Sequence, residues 1–306
     1  MKQYNILTIG MGAIGSLYTS RLQSKSTQVH CLTRTETDVI KKNGIRIKNP
    51  DNSITTFNPD FCYETLDTLD VVFDYVIIAT KVLPEIHLID TLKKVVSKTT
   101  SIVLIQNGID IESTYVKAFK NNEIISGLAF VCVSKVSVGN IYHQDYGRLV
   151  IGAFQKGRSK KVEELKELFN QKVKCCSTSE FIVQDRFKKL LWNASFNPLS
   201  VIYKGATTKE LLNIENMETT IKNIMKEVQR VAFAYNCTIS SDDIQKNISD
   251  TYKMKPYKTS MCLDWERNKP LESDAILGNL LRLAEAKNIS LPIIDRLYIQ
   301  LKELSK

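Results

Sequence analysis

The sequence predicts an α/β fold in two parts. An N-terminal domain built on a largely parallel sheet spans residues 1–179, an all-α domain spans residues 180–306, and a cleft lies between them. Three observations predict this. The apolar run Asn5-Ile6-Leu7-Thr8-Ile9 passes at once into Gly10-Met11-Gly12-Ala13-Ile14-Gly15 and then into an amphipathic segment, Ser16 to Leu22. Short apolar runs then alternate with helix-like stretches, the pattern of βα units. From about residue 180 the pattern becomes helical throughout.

Strand, glycine turn and helix come in the order that a dinucleotide site requires. Gly10 permits the tight turn, Gly12 lets the backbone approach a pyrophosphate, and Gly15 lets the helix pack on the strand while its N-terminus faces the anion. In that context Gly10, Met11, Gly12, Ala13, Ile14 and Gly15 are candidate cofactor residues of a Rossmann-type domain. The next strand, Gln28 to Leu32, ends in Thr33-Arg34-Thr35. An acidic residue there would hold a ribose 2′-hydroxyl, whereas an arginine suits a 2′-phosphate, so Arg34 points to NADP, with Glu36 slightly too far on. The plain alternative for Arg34 is an exposed loop cation.

Further elements follow in chain order. Residues 45–48 and 53–57 form a hairpin across Asn49-Pro50-Asp51-Asn52. Residues 75–79 and 101–105 are continuous apolar runs of central parallel strands, exiting at Thr80-Lys81 and at Gln106-Asn107-Gly108. A helix is expected over 84–96, and strands over 124–133, 140–145 and 148–154 to close the sheet edge. Val162 to Phe169 reads as a helix and Val173 to Ser177 as a short strand. Ligands of open α/β sheets bind outside the carboxyl ends of strands, which is where Lys81 and Asn107 sit. Each alone is equally a helix-start lysine or a turn asparagine.

In the second half, Lys189, Asn193 and Asn197 recur every four residues, so they share one helical face. Phe187, Leu190, Leu191, Ala194 and Phe196 around them are apolar, which predicts a largely buried helix. Asparagine is a poor helix former, and a buried amide without a partner costs about 1–3 kcal/mol, so these side chains suggest a polar wall kept for a ligand. A solvated surface helix is the alternative. Helices follow near 208–213, over 214–235, and from the N-cap cluster Ser240-Ser241-Asp242-Asp243. The last three run over 260–267, 273–287 and 293–304, separated by Pro270 and Pro292. Ser260 and Asp264 share a helix face. Glu272, after Pro270, is either a carboxylate that keeps a buried lysine charged or simply a helix N-terminal acid.

Composition narrows the function classes. At 306 residues, 43% hydrophobic and 25% charged, the chain has the balance of an ordinary globular protein long enough for two cores. No run approaches a membrane span, and Met1-Lys2-Gln3-Tyr4 leads straight into a strand rather than a leader, so a cytoplasmic location is expected. Seven cysteines without paired spacing read as reduced thiols, with neither disulfides nor a metal site. The net charge of +9 comes from scattered lysines, with one short cluster, Lys156-Gly157-Arg158-Ser159-Lys160-Lys161. That argues against a nucleic-acid partner and for a field mildly favourable to small anions.

Taken together, the motifs resemble the ketopantoate reductase (2-dehydropantoate 2-reductase) family over nearly the whole chain. They are Gly10-x-Gly12-Ala13-Ile14-Gly15, Lys81, Gln106-Asn107-Gly108, Lys189-x3-Asn193-x3-Asn197-Pro198-Leu199 and Ser260-x3-Asp264-x7-Glu272-x-Asp274. The resemblance implies Lys189 as general acid with Glu272 supporting it. It also implies Asn193, Asn197, Ser260 and Asn107 as substrate-binding residues, and Lys81, Asn107 and Glu272 beside the cofactor. Arg34 matches a residue that binds the 2′-phosphate. The implied reaction is NADPH-dependent reduction of 2-dehydropantoate to (R)-pantoate in pantothenate and coenzyme A biosynthesis, by a monomer or homodimer acting on a small 2-oxo acid. Thr207 stands where a substrate-contacting asparagine is expected, and Ile276-Leu277-Gly278 replaces Ile-Asn-Gly, which leaves the substrate's identity open. The alternatives are a reductase of the same fold acting on another 2-oxo acid and a non-catalytic NADP-sensing regulator.

Overall fold

A computed structural model of the protein describes residues 2–33, 35–67 and 69–304. The chain divides into two compact units. The first comprises residues 1–81, 87–106 and 112–182, and the second comprises 82–86, 107–111 and 183–306. Two short loops that follow strands in the chain thus fold with the second unit.

The first unit is one sheet with helices. Its strands are β1 (Tyr4–Ile9), β2 (Thr27–Leu32), β3 (Ile45–Lys48), β4 (Ile54–Phe57), β5 (Phe61–Tyr63), β6 (Tyr75–Ile78), β7 (Ser101–Leu104), β8 (Ile124–Ser137), β9 (Asn140–Ala153) and β10 (Cys176–Thr178). They run in the order β4-β3-β9-β8-β7-β6-β1-β2-β5, with β10 beside β9. From β8 to β5 all neighbours are parallel, and the order reverses about β1, the doubly wound arrangement whose switch point receives dinucleotides. Ile6, Leu7, Val76, Ile78, Ile102 and Leu104 are fully buried, as continuous apolar runs demand of strands covered on both faces.

Three expectations are corrected here. The strands over 140–145 and 148–154 are one strand, β9, whose register against β8 breaks where Tyr146 and Gly147 take φ of 59° and 125°. Alternation is lost at such a bulge, so one bent strand reads as two. The β8–β9 hairpin does not close the sheet either, because the β3–β4 hairpin adds beyond β9 and forms the edge. The helix expected over 84–96 shrinks to α3 (Ile89–Lys93). Pro84 instead opens a turn in which Ile86 donates to the Leu83 carbonyl at 3.0 Å, and the Val82 amide is used by another side chain. The other helices of this unit are α1 (Ala13–Leu22), α2 (Thr37–Asn43), α4 (Ser113–Ala118) and α5 (Lys160–Phe169).

The second unit is all helical. It carries α6 (Ile182–Ile202), α7 (Thr208–Leu212), α8 (Met217–Ala234), α9 (Ser241–Lys253) and α10 (Ser260–Glu266). A π-helical turn (Asp274–Gly278), α11 (Asn279–Glu285) and α12 (Pro292–Leu304) follow. Leu190, Leu191, Ala194 and Phe196 of α6 join Ile221, Ile224, Met225 and Val228 of α8 in its core. Capping boxes at Thr207–Glu210 and Ser240–Asp243 fix the starts of α7 and α9. Among the described residues no helix is long and apolar enough to cross a membrane, and no cluster of His, Cys, Asp and Glu has the make-up of a metal site.

Candidate active site

In the first unit the carboxyl ends of three adjacent strands meet. Gly10 leaves β1 at φ 97°, and a Cβ there would lie 2.7 Å from the Thr80 amide nitrogen after β6. Gln106, after β7, donates through Nε2 to the Thr80 carbonyl at 2.8 Å. A Cβ on Gly15 would sit 2.0 Å from the Gly10 carbonyl oxygen, so α1 approaches the strand exit as only glycine allows. Gly12 differs, because no atom of the described residues outside its own turn lies within 4 Å of its Cβ position. It is the N-cap of α1, with an extended backbone, no side-chain cap and no acidic residue in the first turn. Open space therefore adjoins an uncapped helix N-terminus, a cradle that fits a pyrophosphate. Met11 and Ser16 brace the turn, the Ser16 hydroxyl donating to the Met11 carbonyl at 3.2 Å. Ala13 and Ile14 open α1, while Lys81 is half-buried at the end of the segment. Arg34 lies outside the described residues. Glu36, weighed as the acid for a ribose hydroxyl, is ion-paired with Lys135.

The second unit gathers the other candidates. Lys189, midway along α6, donates through Nζ to Asn107 Oδ1 at 3.0 Å. Although Lys189 keeps some solvent exposure, the protein around its ammonium pushes the pKa down to about 7. Desolvation is the main cause, the like charge of Arg186 adds to it, and the Glu272 carboxylate opposes both. Glu272 is itself anchored, its Oε1 accepting from the Val82 amide at 2.9 Å. The two loops that belong to this unit thus hold the ends of the constellation, Asn107 on one and Val82 on the other.

Arg186 is the residue that sequence reasoning missed. It is 3% exposed and donates to the Gly108 carbonyl at 3.0 Å, just beyond Asn107. Its position three residues before Lys189 put it on the same helix face, a spacing that was there to be read. The π-helical turn and the start of α11 support the same loop, because the Ala275 carbonyl accepts from the Ile109 amide at 3.0 Å and Asn279 donates to the Ile109 carbonyl at 2.7 Å.

Further along α6, Asn193 and Asn197 are buried, and the Asn197 Oδ1 accepts no hydrogen bond from any described residue. An orphaned amide oxygen at 2% exposure is expensive unless a ligand supplies the donor. Ser260, in contrast, is exposed in the first turn of α10 and makes no hydrogen bond to Lys189, Asn193 or Asn197. Its buried neighbour Thr259 caps that helix and shares a 2.7 Å hydrogen bond with Ser200 of α6. Thr207 is the N-cap of α7, and Leu277 is fully buried in the helical core, where an asparagine would need a partner.

Comparison with known proteins then adds to the geometry. The family model described as ketopantoate reductase PanE/ApbA matches residues 6–156, and that described as its C-terminal part matches residues 182–305. The chain is 32% identical over 310 residues to a 2-dehydropantoate 2-reductase of Nostoc sp., with 99% of this chain and 96% of the relative covered. The crystal structure of 2-dehydropantoate 2-reductase from Methylococcus capsulatus is 37% identical with a TM-score of 0.90, covering 99% of this chain and 98% of that one. That from Geobacter metallireducens is 27% identical with a TM-score of 0.91, covering 98% and 99%. With both of its domains matched and relatives aligned end to end, this chain belongs to the ketopantoate reductase family of oxidoreductases.

Proposed function

We propose that the protein reduces the 2-keto group of 2-dehydropantoate to (R)-pantoate with NADPH, Lys189 serving as general acid. The observation that carries this reading is the Lys189 ammonium on α6, packed among Asn107, Arg186 and Glu272, two turns from the orphaned Asn197 amide. When bound, NADPH supplies the hydride to C2 of the ketone. The glycine turn from Gly10 to Gly15 would hold its pyrophosphate, Lys81 and Asn107 would serve the nicotinamide end, and Arg34 would favour the 2′-phosphate. Lys189 donates its proton to the ketone oxygen as the C–O double bond becomes an alkoxide, so that one hydride and one proton yield the 2-hydroxy acid. Such proton donation contributes about 10²–10⁴ in rate. Glu272 keeps the ammonium charged against its desolvation, and Asn107 aims it. Asn193, Asn197 and Ser260 bind the substrate's carboxylate and hydroxyl groups.

Thr207 and Leu277 make a neighbouring 2-oxo acid the second reading, since one is committed to a helix cap and the other to the core. Consumption of nicotinamide absorbance with 2-dehydropantoate and a panel of branched and aromatic 2-oxo acids, each with NADPH and NADH, tests both. The expected result is fastest turnover with 2-dehydropantoate and NADPH. A higher kcat/KM on another oxo acid transfers the assignment to it, and absence of turnover on all of them with retained NADPH binding indicates a regulator.

A further inference from the structure

Four residues beyond β2, slightly past the usual place of the acid in an NAD-selective protein, the chain carries a carboxylate. Glu36 lies about 20 residues beyond Gly15, the interval at which an acid commonly grips the ribose 2′-hydroxyl. It is the N-cap residue of α2, its carbonyl fixed by the Ile40 amide at 2.9 Å. Left free, such a carboxylate accepts hydrogen bonds from a diol and repels a phosphate. It is not free, because the Lys135 ammonium of β8 reaches both Glu36 oxygens. The two side chains are 24% and 20% exposed, sheltered enough for the attraction to escape most screening. The lysine comes from 99 positions along the chain, so the pair is a tertiary arrangement rather than a helical neighbour contact.

We propose that Lys135 is a specificity-determining residue for the nucleotide: by engaging both oxygens of Glu36 it cancels the carboxylate that would select a 2′-hydroxyl, and so admits a 2′-phosphate at the end of β2. This rests on the NADPH reading above. A pair that only ties β8 to α2 would have no preference between the two nucleotides, and that difference is measurable without turnover.

The test is the dissociation constant of NADPH and of NADH, by nicotinamide fluorescence without substrate, for full-length wild type, Lys135→Ala, Glu36→Gln and the double variant. Lys135→Ala is expected to weaken NADPH about tenfold or more while NADH holds or tightens, since an uncompensated carboxylate then faces the phosphate. Glu36→Gln keeps NADPH affinity, and the double variant recovers most of what Lys135→Ala loses. An unchanged NADPH-to-NADH ratio in Lys135→Ala overturns the proposal, as does a double variant as weak as Lys135→Ala. Loss of both nucleotides in Lys135→Ala that Glu36→Gln does not rescue gives the pair a structural role and overturns it too. A wild type that prefers NADH instead overturns the NADPH reading itself, a result visible before any variant is made.

Discussion

As the proposed general acid, Lys189 must be charged in a place that disfavours charge, and desolvation pushes its pKa down to about 7. A general acid works only while protonated, so kcat/KM for keto-acid reduction should be flat below pH 7 and fall as the pH rises through that value. The sign of each neighbour's effect follows from its charge. Arg186 lowers the Lys189 pKa, so Arg186→Gln should move the falling limb to higher pH. Glu272 raises it, so Glu272→Gln should move the limb to lower pH and cut activity at neutrality. The pH profiles of kcat/KM for the three proteins check this, and limbs that do not move, or move in the opposite directions, refute the assignment of the acid. Lys189→Ala should lose about 10²–10⁴ in kcat.

At the scale of the element, the glycine turn separates folding from binding. Gly15 and Gly12 belong to the same motif, yet a Cβ meets the Gly10 carbonyl at 2.0 Å in the first case and no described residue within 4 Å in the second. Gly15→Ala should therefore force α1 off the strand and destabilise the protein, on the order of 1–3 kcal/mol by urea unfolding as for other overpacked sites. Gly12, at φ −75°, accepts alanine without backbone strain, so Gly12→Ala should fold normally and lose nucleotide affinity because its methyl occupies the cradle. Equal destabilisation of both variants would contradict the reading. These features were legible in the sequence because strand, turn and helix are local, and so was the Lys189-Asn193-Asn197 face of α6. What was not legible depends on distant chain. The helix expected over 84–96 begins only at Ile89, and the Val82 amide before it is held by Glu272, 190 positions away. Lys135 meets Glu36 across five intervening strands of sequence, β3 to β7, and nothing in either neighbourhood announces it. Arg186 was local and readable, but the asparagines drew attention from the cation on the same face.

For the whole molecule, the two units have separate hydrophobic cores, one around the sheet and one around α6 and α8. A ligand that binds only the native state stabilises it by mass action, about 2.7 kcal/mol at a hundred times its dissociation constant. If the pyrophosphate and 2′-phosphate are held by the first unit, the gain from NADPH belongs to that unit and is independent of Lys189. NADPH at that excess should raise the apparent Tm by several degrees in wild type and equally in Lys189→Ala. At the same concentration NADH should raise it less, and Gly12→Ala should abolish the shift. Hydrogen exchange gives the same comparison by location, with added protection expected at the amides of α1 and the exits of β1 and β6. A Tm shift that disappears in Lys189→Ala but survives in Gly12→Ala would relocate the nucleotide to the helical unit. Separating the two cores in this way distinguishes a protein that binds the nucleotide from one that also uses it, because the binding unit and the proton donor then fail independently.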